Sequence, residues 1–379
     1  MAGRIERLGW AGVCAAALAA CSPADEPAAP AVQTAARVAP TPVAPVPVVP
    51  ATKPVALAPP APVVVAPSTA PVGVAINAGV FASAAKPVPL RDQLIKAEVL
   101  LDRAHFSPGV IDGHNGGNLR QAIAAYEAAH GLAADGDLNQ PVWDALTAAD
   151  SGAAVTDYVI TADDVKGPFL GKAPTDMKAM AKLDRMDFTS PLQLLAERFH
   201  MDQKLLTTLN PGADFGAAGT TIVVTVPSSA ILDAKVASIE VDKSRQQVRA
   251  FDETGKLAAV YPATVGSKER PAPSGAWAVR DVVPRPDYTF DPSRLTFGKS
   301  EAKLTIPPGP NNPVGSTWIG LTKDTYGIHG TPDPTMVGKI ASHGCVRLTN
   351  WDAHQLGGAV RKGAKVVFVG EETHKKTVA

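Results

Sequence analysis

Residues 328–348 read Ile-His-Gly-Thr-Pro-Asp-Pro-Thr-Met-Val-Gly-Lys-Ile-Ala-Ser-His-Gly-Cys-Val-Arg-Leu. The stretch contains two histidines, His329 and His343, each followed by a glycine, and one thiol, Cys345. Glycine permits turns and close backbone approaches that other residues adopt only at a cost. A thiol becomes a useful nucleophile when a base or a positive field shifts it toward thiolate, and both histidines are candidate bases. The pattern therefore indicates a Cys–His nucleophilic site.

Two other interpretations of this stretch are weaker. A single cysteine is often a small buried hydrophobic residue, but the polar, turn-like Ser342-His343-Gly344 before Cys345 argues against that here. A zinc site is disfavoured because the His-x13-His-x-Cys spacing fits no common zinc pattern and no second cysteine lies nearby. We therefore expect neither a metal nor another cofactor.

The length and net charge of the chain limit the possible classes of protein. A chain of 379 residues is long enough for two or three domains. It has 36 Lys and Arg against 36 Asp and Glu, so its net charge gives no case for a nucleic-acid partner.

Residues 1–21 are predicted to be a signal peptide. Arg4 and Arg7 give a positive start, and the apolar run Leu8–Ala20 is too short to span a bilayer comfortably.

The end of this segment, Leu-Ala-Ala-Cys21, resembles the cleavage box of bacterial lipoproteins. The resemblance implies that Cys21 becomes the first mature residue, is acylated and holds the protein at a membrane. Ser22 after it implies sorting to the outer membrane, again by resemblance. An ordinary cleaved signal, with Cys21 incidental, stays open.

The predicted signal peptide and lipidation affect the three cysteines differently. Cys14 would be removed with the signal and Cys21 would be lipidated, which leaves Cys345 unable to form an intramolecular disulfide. A single thiol in an oxidising compartment needs a reason, and catalysis supplies one.

Residues 22–86 are rich in Ala, Pro and Val and show no helical or strand period. We interpret them as a disordered tether of polyproline II character, which at about 3.1 Å per residue reaches on the order of 200 Å. Such a tether implies a target at a distance from the membrane.

Residues 87–150 are predicted to form a helical domain. Apolar residues recur at helical spacing from Leu94 to Ala104, a second helix is expected over 118–130, and a third passes through Trp143 and Leu146. The order resembles the small three-helix peptidoglycan-binding domain, with Phe106–Gly113 as its most telling piece. A generic helical bundle is the alternative.

Residues 151–230 are predicted to run strand, helix, helix, strand. The expected elements are Tyr158–Thr161, Pro191–Phe199, Asp202–Leu209 and Thr221–Val226. This order resembles a lysin-motif module, but residues 166–185 stretch its first half, so a structural spacer stays open beside sugar binding.

Residues 235–370 have a β-rich pattern, followed by a tail at 371–379. Ala237–Asp242 alternates with period two, and further short strands follow. Residues 284–313 are irregular and rich in Pro, Asp and Gly; since long loops in compact domains are usually functional, we expect a lid over the site. A helix is expected at 352–360 and a closing strand at 365–369.

This last region resembles the catalytic domain of the L,D-transpeptidases, the YkuD-like family. The matching pieces are Pro273-Ser-Gly275, Asn312-Pro-Val-Gly315, Ile328-His-Gly330 and Ser342-His-Gly-Cys-Val-Arg-Leu348. The resemblance implies a mostly-β, sandwich-like catalytic domain, so the whole chain is expected to be a multidomain α+β protein.

The resemblance also implies residue roles. Cys345 is the expected nucleophile and His329 its general base, oriented by the carbonyl of Gly330. Cys345 would form a thioester with a peptidoglycan tetrapeptide stem, release D-alanine and pass the acyl group to another stem as a 3→3 cross-link.

The remaining site residues are expected around this pair. The N–H groups of Gly344 and Cys345 would hold the oxyanion, with Ser342 and His343 shaping that hole and contacting substrate. Arg347 would brace the cysteine loop, with simple solvent exposure as the alternative. Further residues are expected to line the donor channel: Ser316, Tyr326 and, unless it is an ordinary core residue, Trp318.

The expected partners are peptidoglycan stem peptides and glycan strands, and the membrane through Cys21. A periplasmic, outer-membrane-anchored monomer is expected. The motif does not specify the acceptor, so a lipoprotein or water could replace the second stem, and an inactive wall-tethering lipoprotein is the alternative outside enzymes.

Overall fold

The computed structural model describes residues 66–81, 91–228, 231–266, 271–293, 302–340 and 344–372. The predicted signal peptide, the lipidation residue Cys21, most of the tether and the tail lie outside these ranges, as do Ser342 and His343. In the part of the chain that is described, no helix is both long and apolar enough to cross a bilayer.

The described elements fall into a mainly helical first part and a mainly β second part. They are α1 (Pro71–Asn77), α2 (Arg91–Arg103), α3 (Gly117–Ala129), α4 (Gln140–Ala149), β1 (Val155–Val159), α5 (Ala162–Lys166), α6 (Met177–Met180), α7 (Pro191–Arg198), α8 (Gln203–Leu209), β2 (Thr221–Thr225), β3 (Val236–Asp242), β4 (Gln247–Phe251), β5 (Leu257–Pro262), β6 (Thr264–Val265), β7 (Gly275–Pro284), β8 (Tyr288–Phe290), β9 (Leu304–Ile306), β10 (Thr317–Leu321), β11 (Gly327–His329), β12 (Val346–Arg347), α9 (Asn350–Ala359) and β13 (Val360–Val369).

The tether ends earlier than predicted, because α1 belongs to the folded part. Proline is compatible with the first turn of a helix, so Pro71 does not prevent it. Ile76 of α1 is fully buried. The Asn77 side chain donates to the carbonyl of Val155 and accepts from its N–H, which fastens α1 to β1. Placing the tether's end at residue 86 was therefore wrong.

The three-helix domain is present as predicted. Helices α2, α3 and α4 pack around a shared apolar core in which Phe106 meets Tyr126 edge-on at 5.3 Å. The side chain of Asn139 caps α4 by accepting from the N–H of Val142. The turn at Gly113 has φ +70°, a conformation that favours glycine.

The next module has the predicted strand–helix–helix–strand order, with α5 and α6 as additions. Strands β1 and β2 pair antiparallel, and α7 and α8 pack beside them over a common core. Of these, α6 lies inside the predicted insertion at 166–185, and α5 ends where the insertion begins. The resemblance to a lysin motif stays a prediction.

Nine strands of the β-rich region form one sheet in the order β5-β4-β3-β13-β7-β10-β11-β12-β6. Strand β7 joins its two halves, since its first residues pair with β13 and its later ones with β10. The two edge strands, β5 and β6, are separated in sequence only by Ala263. The sheet therefore curls until its edges approach each other, and its apolar interior, covered by α9, forms the core.

The segment predicted to be irregular, 284–313, contains two paired strands. Strands β8 and β9 form an antiparallel ladder from Tyr288–Ile306 to Phe290–Leu304. Phe290 and Ile306 are both fully buried. The absence of regular structure was thus a wrong prediction, because single apolar residues among many prolines are enough to anchor two short strands.

The three modules meet at a buried polar cluster. His200 Nδ1 lies 3.3 Å from Asp102 Oδ2, and the ring of His200 stacks on Trp351 at 4.8 Å. Ser107 donates to Asp352 Oδ2 at 3.1 Å. Burial opposes ionisation of Asp102, but His200 and hydrogen bonds outweigh it and lower the Asp102 pKa. Burial and the charge of Asp102 instead raise the pKa of Asp352 well above its ordinary value.

These shifts predict opposite effects for two similar substitutions. Since folding raises the pKa of Asp352, the stability it contributes is full below the unfolded value of about 3.9 and is lost as pH rises through the folded value. Asp352→Asn should therefore keep or raise the free energy of unfolding at pH 7, whereas Asp102→Asn should lower it by about 3 kcal/mol or more. Urea unfolding followed by fluorescence measures both; equal losses would contradict the assignment.

Candidate active site

Strands β11 and β12 bring the two halves of the sequence motif together. They pair in parallel, with Ile328 opposite Val346 and His329 opposite Arg347. Cys345 lies in the bend directly before β12, two residues before Arg347. The charge of Arg347 acts on both His329 and Cys345, so both groups lie near the same guanidinium.

His329 is held in one orientation. Only 4% of its surface is exposed, and its Nδ1 lies 2.7 Å from the carbonyl oxygen of Gly330. Since a carbonyl can only accept, Nδ1 carries the proton and donates it, which leaves the lone pair on Nε2. On the neighbouring strand, Trp318 stacks on the imidazole with ring centroids 5.5 Å apart. The indole therefore lies directly against the imidazole, and its place in the donor channel stays a prediction.

The electrostatic surroundings keep this imidazole neutral. Burial and then the positive charge of Arg347 lower the pKa of His329 to about 3, although the hydrogen bond to the Gly330 carbonyl opposes them. At neutral pH His329 is therefore a neutral imidazole, with its proton on Nδ1 and a lone pair on Nε2.

Cys345 lies beside the turn that precedes β11. Its Sγ is 3.6 Å from the carbonyl oxygen of Thr325, a residue with the unusual φ of +66°. Burial raises the pKa of the Cys345 thiol, while the N–H of Gly327 and the charge of Arg347 partly offset that rise. The resting pair is thus a neutral thiol and a neutral imidazole.

Arg347 sits at the base of the site rather than on the open surface. It is half-buried, and burial lowers the pKa of its guanidinium. The charges of Cys345, Tyr288 and Asp333 act on it at close range. This supports the predicted bracing role over simple exposure.

The other predicted site residues are distributed around the cysteine. Gly344 has φ +119°, and a Cβ there would lie 3.4 Å from the Tyr326 ring, so Tyr326 borders the cysteine loop. The backbone of Ser316 is fixed, since its N–H donates to Asn350 Oδ1 and its carbonyl accepts from Arg285. Ser342 and His343 lie outside the described residues.

Sequence reasoning missed three residues here. The pKa of Tyr288, on β8, is raised by burial and then by the charge of Cys345, which places this strand next to the nucleophile. Thr325 supplies the carbonyl beside the thiol, and Asn350 supports the backbone of both site loops. The alternation in Tyr288–Phe290 could have indicated a strand; nothing local signals the other two. Among the described residues, no cluster of His, Cys, Asp or Glu could hold a metal ion.

Comparison with known proteins agrees with this arrangement. Residues 237–368 match the L,D-transpeptidase catalytic domain, and residues 91–146 match the putative peptidoglycan binding domain. The chain is 27% identical over 175 residues to a putative L,D-transpeptidase, YkuD, of Bacillus licheniformis, covering 46% of this chain and 91% of that protein. It is also 27% identical over 197 residues to the probable L,D-transpeptidase YbiS of Escherichia coli, covering 50% and 63%.

Solved structures give a weaker match. The crystal structure of L,D-transpeptidase 3 from Mycobacterium tuberculosis has 16% identity and a TM-score of 0.31, covering 41% of this chain and 66% of that one.

The catalytic-domain match covers the curled sheet in which β11 carries His329 and the bend before β12 carries Cys345. Residues 237–368 are a catalytic domain of the L,D-transpeptidase family, joined to a peptidoglycan-binding domain at 91–146. The chain spans about three fifths of the length of the E. coli relatives it matches.

The neutral resting pair predicts an unusual pH profile for the thiol. Alkylation of Cys345 by iodoacetamide should keep rising beyond pH 8.5, since the raised pKa delays thiolate formation past the ordinary value of about 8.5. Mass spectrometry of the tryptic peptide 340–347 measures the rate at each pH and separates Cys345 from Cys14 and Cys21. A flat rate between about pH 5 and 8 would instead indicate a preformed thiolate–imidazolium pair.

Proposed function

We propose that this protein is a cell-wall L,D-transpeptidase that makes 3→3 cross-links between peptidoglycan stems. The observation that carries the proposal is the fixed His329 tautomer, with Arg347 acting on both His329 and Cys345, inside a domain that matches this family. The named relatives are themselves described only as putative or probable L,D-transpeptidases.

In the first half of the reaction, Cys345 Sγ attacks the carbonyl carbon of the third residue of a donor tetrapeptide stem. His329 Nε2 takes the thiol proton as the C–S bond forms, because it is the nitrogen that carries the lone pair. The N–H groups of Gly344 and Cys345 hold the oxyanion, and His343 and Ser342 complete that hole; one such donor is typically worth about 10²–10³ in rate. The C–N bond to D-alanine then breaks, and His329 returns the proton to the leaving amine.

In the second half, the side-chain amine of another stem attacks the thioester. Its proton passes through His329 back to the departing sulfur, so the enzyme returns to its neutral pair and no net proton, electron or cofactor is consumed. Arg347 favours sulfur's negative charge in both halves, since it lowers the thiol pKa. Tyr326 and Ser316 border the donor channel.

The rest of the chain suits a wall substrate. The domain at 91–146 supports peptidoglycan as the partner. The lipoprotein-like segment ending at Cys21 supports export and an anchor in the outer membrane, with the tether reaching toward the wall. A lipoprotein or water as acceptor requires the same donor half-reaction.

The donor half-reaction can be observed directly. The full-length protein incubated with disaccharide-tetrapeptide should gain a thioester on peptide 340–347, release D-alanine and form a 3→3 dimer, all read by mass spectrometry. Cys345→Ala should abolish all three while keeping the wild-type thermal midpoint. D-alanine release without dimer would indicate water or another acceptor, and an active Cys345→Ala protein would refute the nucleophile.

The choice of base has its own test. His329→Ala should slow thioester formation by about 10²-fold or more, since a positioned general base contributes about 10²–10⁴. His343→Ala should retain more activity, because that residue only shapes the oxyanion hole. Stopped acylation time courses compare the two variants; a fully active His329→Ala protein would transfer the role to His343.

A further inference from the structure

Helix α7, in the module between the helical domain and the catalytic sheet, presents two side chains to the catalytic domain. Gln193 and Glu197 are four residues apart and therefore lie on one face. Gln193 exchanges two hydrogen bonds with the side chain of Asn311, of 2.9 and 3.0 Å. Glu197 Oε2 accepts from Asn350 Nδ2 at 3.0 Å. Two amide side chains of the catalytic domain are thus held from outside it.

Asn350 connects this contact with the active site. It is 2% exposed, and its Oδ1 accepts from the N–H of Ser316 while Nδ2 also donates to the carbonyl of Pro310. A Cβ on Gly330 would come within 2.2 Å of Asn350 Oδ1, so the amide packs directly against the residue whose carbonyl orients His329. Any movement of Asn350 must therefore move that carbonyl or open a gap beneath it.

The same module also holds the segment that carries β9. The N–H of Met186 donates to Pro308, and its carbonyl accepts from the N–H of Asn311. A Cβ on Gly309 would lie 2.1 Å from the Met186 carbonyl oxygen, so the two backbones are in direct contact. The insertion that stretches the predicted lysin motif is therefore packed against the segment beside the nucleophile.

We propose that Glu197 is a positioning residue for His329, acting through Asn350 and Gly330 from a module outside the catalytic domain. Neither side chain touches the reacting atoms; Glu197 fixes the second amide hydrogen bond of Asn350, and Asn350 fixes the loop. The proposal rests on the transpeptidase function for its kinetic consequence, but its geometric consequence can be measured without substrate.

The setting makes this hydrogen bond sensitive to substitution. Glu197 also lines a cavity of about 170 Å³ between α7, α8 and residues 332–335, which has room for several waters. Burial raises the pKa of Glu197 to about 7, and the Asn350 amide opposes that rise. If the side chain at position 197 had no hydrogen-bond acceptor, the Asn350 N–H would bond to water in this cavity instead. The loop at Gly330 would then be held less firmly.

The test uses the full-length protein and three variants of α7. Glu197→Leu removes the acceptor, Glu197→Gln keeps an amide oxygen that can accept, and Arg198→Gln is the matched control. Arg198 pairs with Asp164 at 2.6 Å within its own module, so its loss destabilises that module without touching the catalytic domain.

Two readouts distinguish positioning from general destabilisation. By NMR titration, assigned with His329→Ala, the pKa of His329 should rise from about 3 toward its ordinary value of about 6.5 in Glu197→Leu as water enters, and stay low in the other two. Thioester formation should lose about 10- to 100-fold in kcat with little change in KM for Glu197→Leu alone.

The outcomes separate the two proposals. A wild-type protein that forms no thioester would refute the transpeptidase function, while the His329 titration would still decide the positioning role. A Glu197→Leu protein that matches wild type in both readouts overturns the role of Glu197. Equal effects from Arg198→Gln would also overturn it, because the cause would then be loss of stability.

A reversed hydrogen bond provides an independent check. Asn350→Asp places a second acceptor opposite Glu197 and should slow acylation by about tenfold or more. Combining it with Glu197→Gln supplies a donor on the α7 side, so the double variant should recover part of the rate. Additive losses would contradict a direct connection between the two side chains.

Discussion

The active site depends on the hydrogen bond that His329 Nδ1 donates to the carbonyl of Gly330. That bond fixes the tautomer, which leaves the lone pair of the imidazole on Nε2. The bond exists because β11 ends at His329, so the next peptide turns back toward the ring. Around it, Trp318 holds the plane of the imidazole and Asn350 packs beneath the glycine, where a side chain has no room.

The electrostatics of the pair follow from burial more than from charge. Removal from water lowers the pKa of His329 and raises that of Cys345, so each group rests in its uncharged form. A neutral thiol is less susceptible to oxidation than a thiolate, so burial also protects the single cysteine of the catalytic domain. Because the thiol is protonated at rest, its proton must leave as the C–S bond forms. The lone pair on His329 Nε2 is placed to accept a proton.

The sequence predicted the parts of the structure that local patterns determine. Period-two alternation gave β3 and helical spacing gave α2, α3 and α9, because in each the buried face repeats within the element. It failed for α1 and for the β8–β9 ladder, because a proline-rich composition conceals these short elements. Asn77 of α1 is bonded to Val155 on β1, and Phe290 of β8 is fully buried. The Cys–His motif identified the chemistry, but Asn350 and Thr325 act through contacts far apart in sequence that no local spacing encodes.

The loop between His329 and Cys345 contacts both of the other folded modules. The side chain of Asn118, on α3 of the peptidoglycan-binding domain, donates to the carbonyl of Val337. The N–H of Gly338 donates to the hydroxyl of Thr264 in β6, the partner strand of β12. On the other side, residues 332–335 face α7 and α8 across the cavity. The loop is thus held from both flanking modules, one of which matches a wall-binding domain. The hydrogen bond from α3 therefore reaches the same loop whose two ends carry His329 and Cys345.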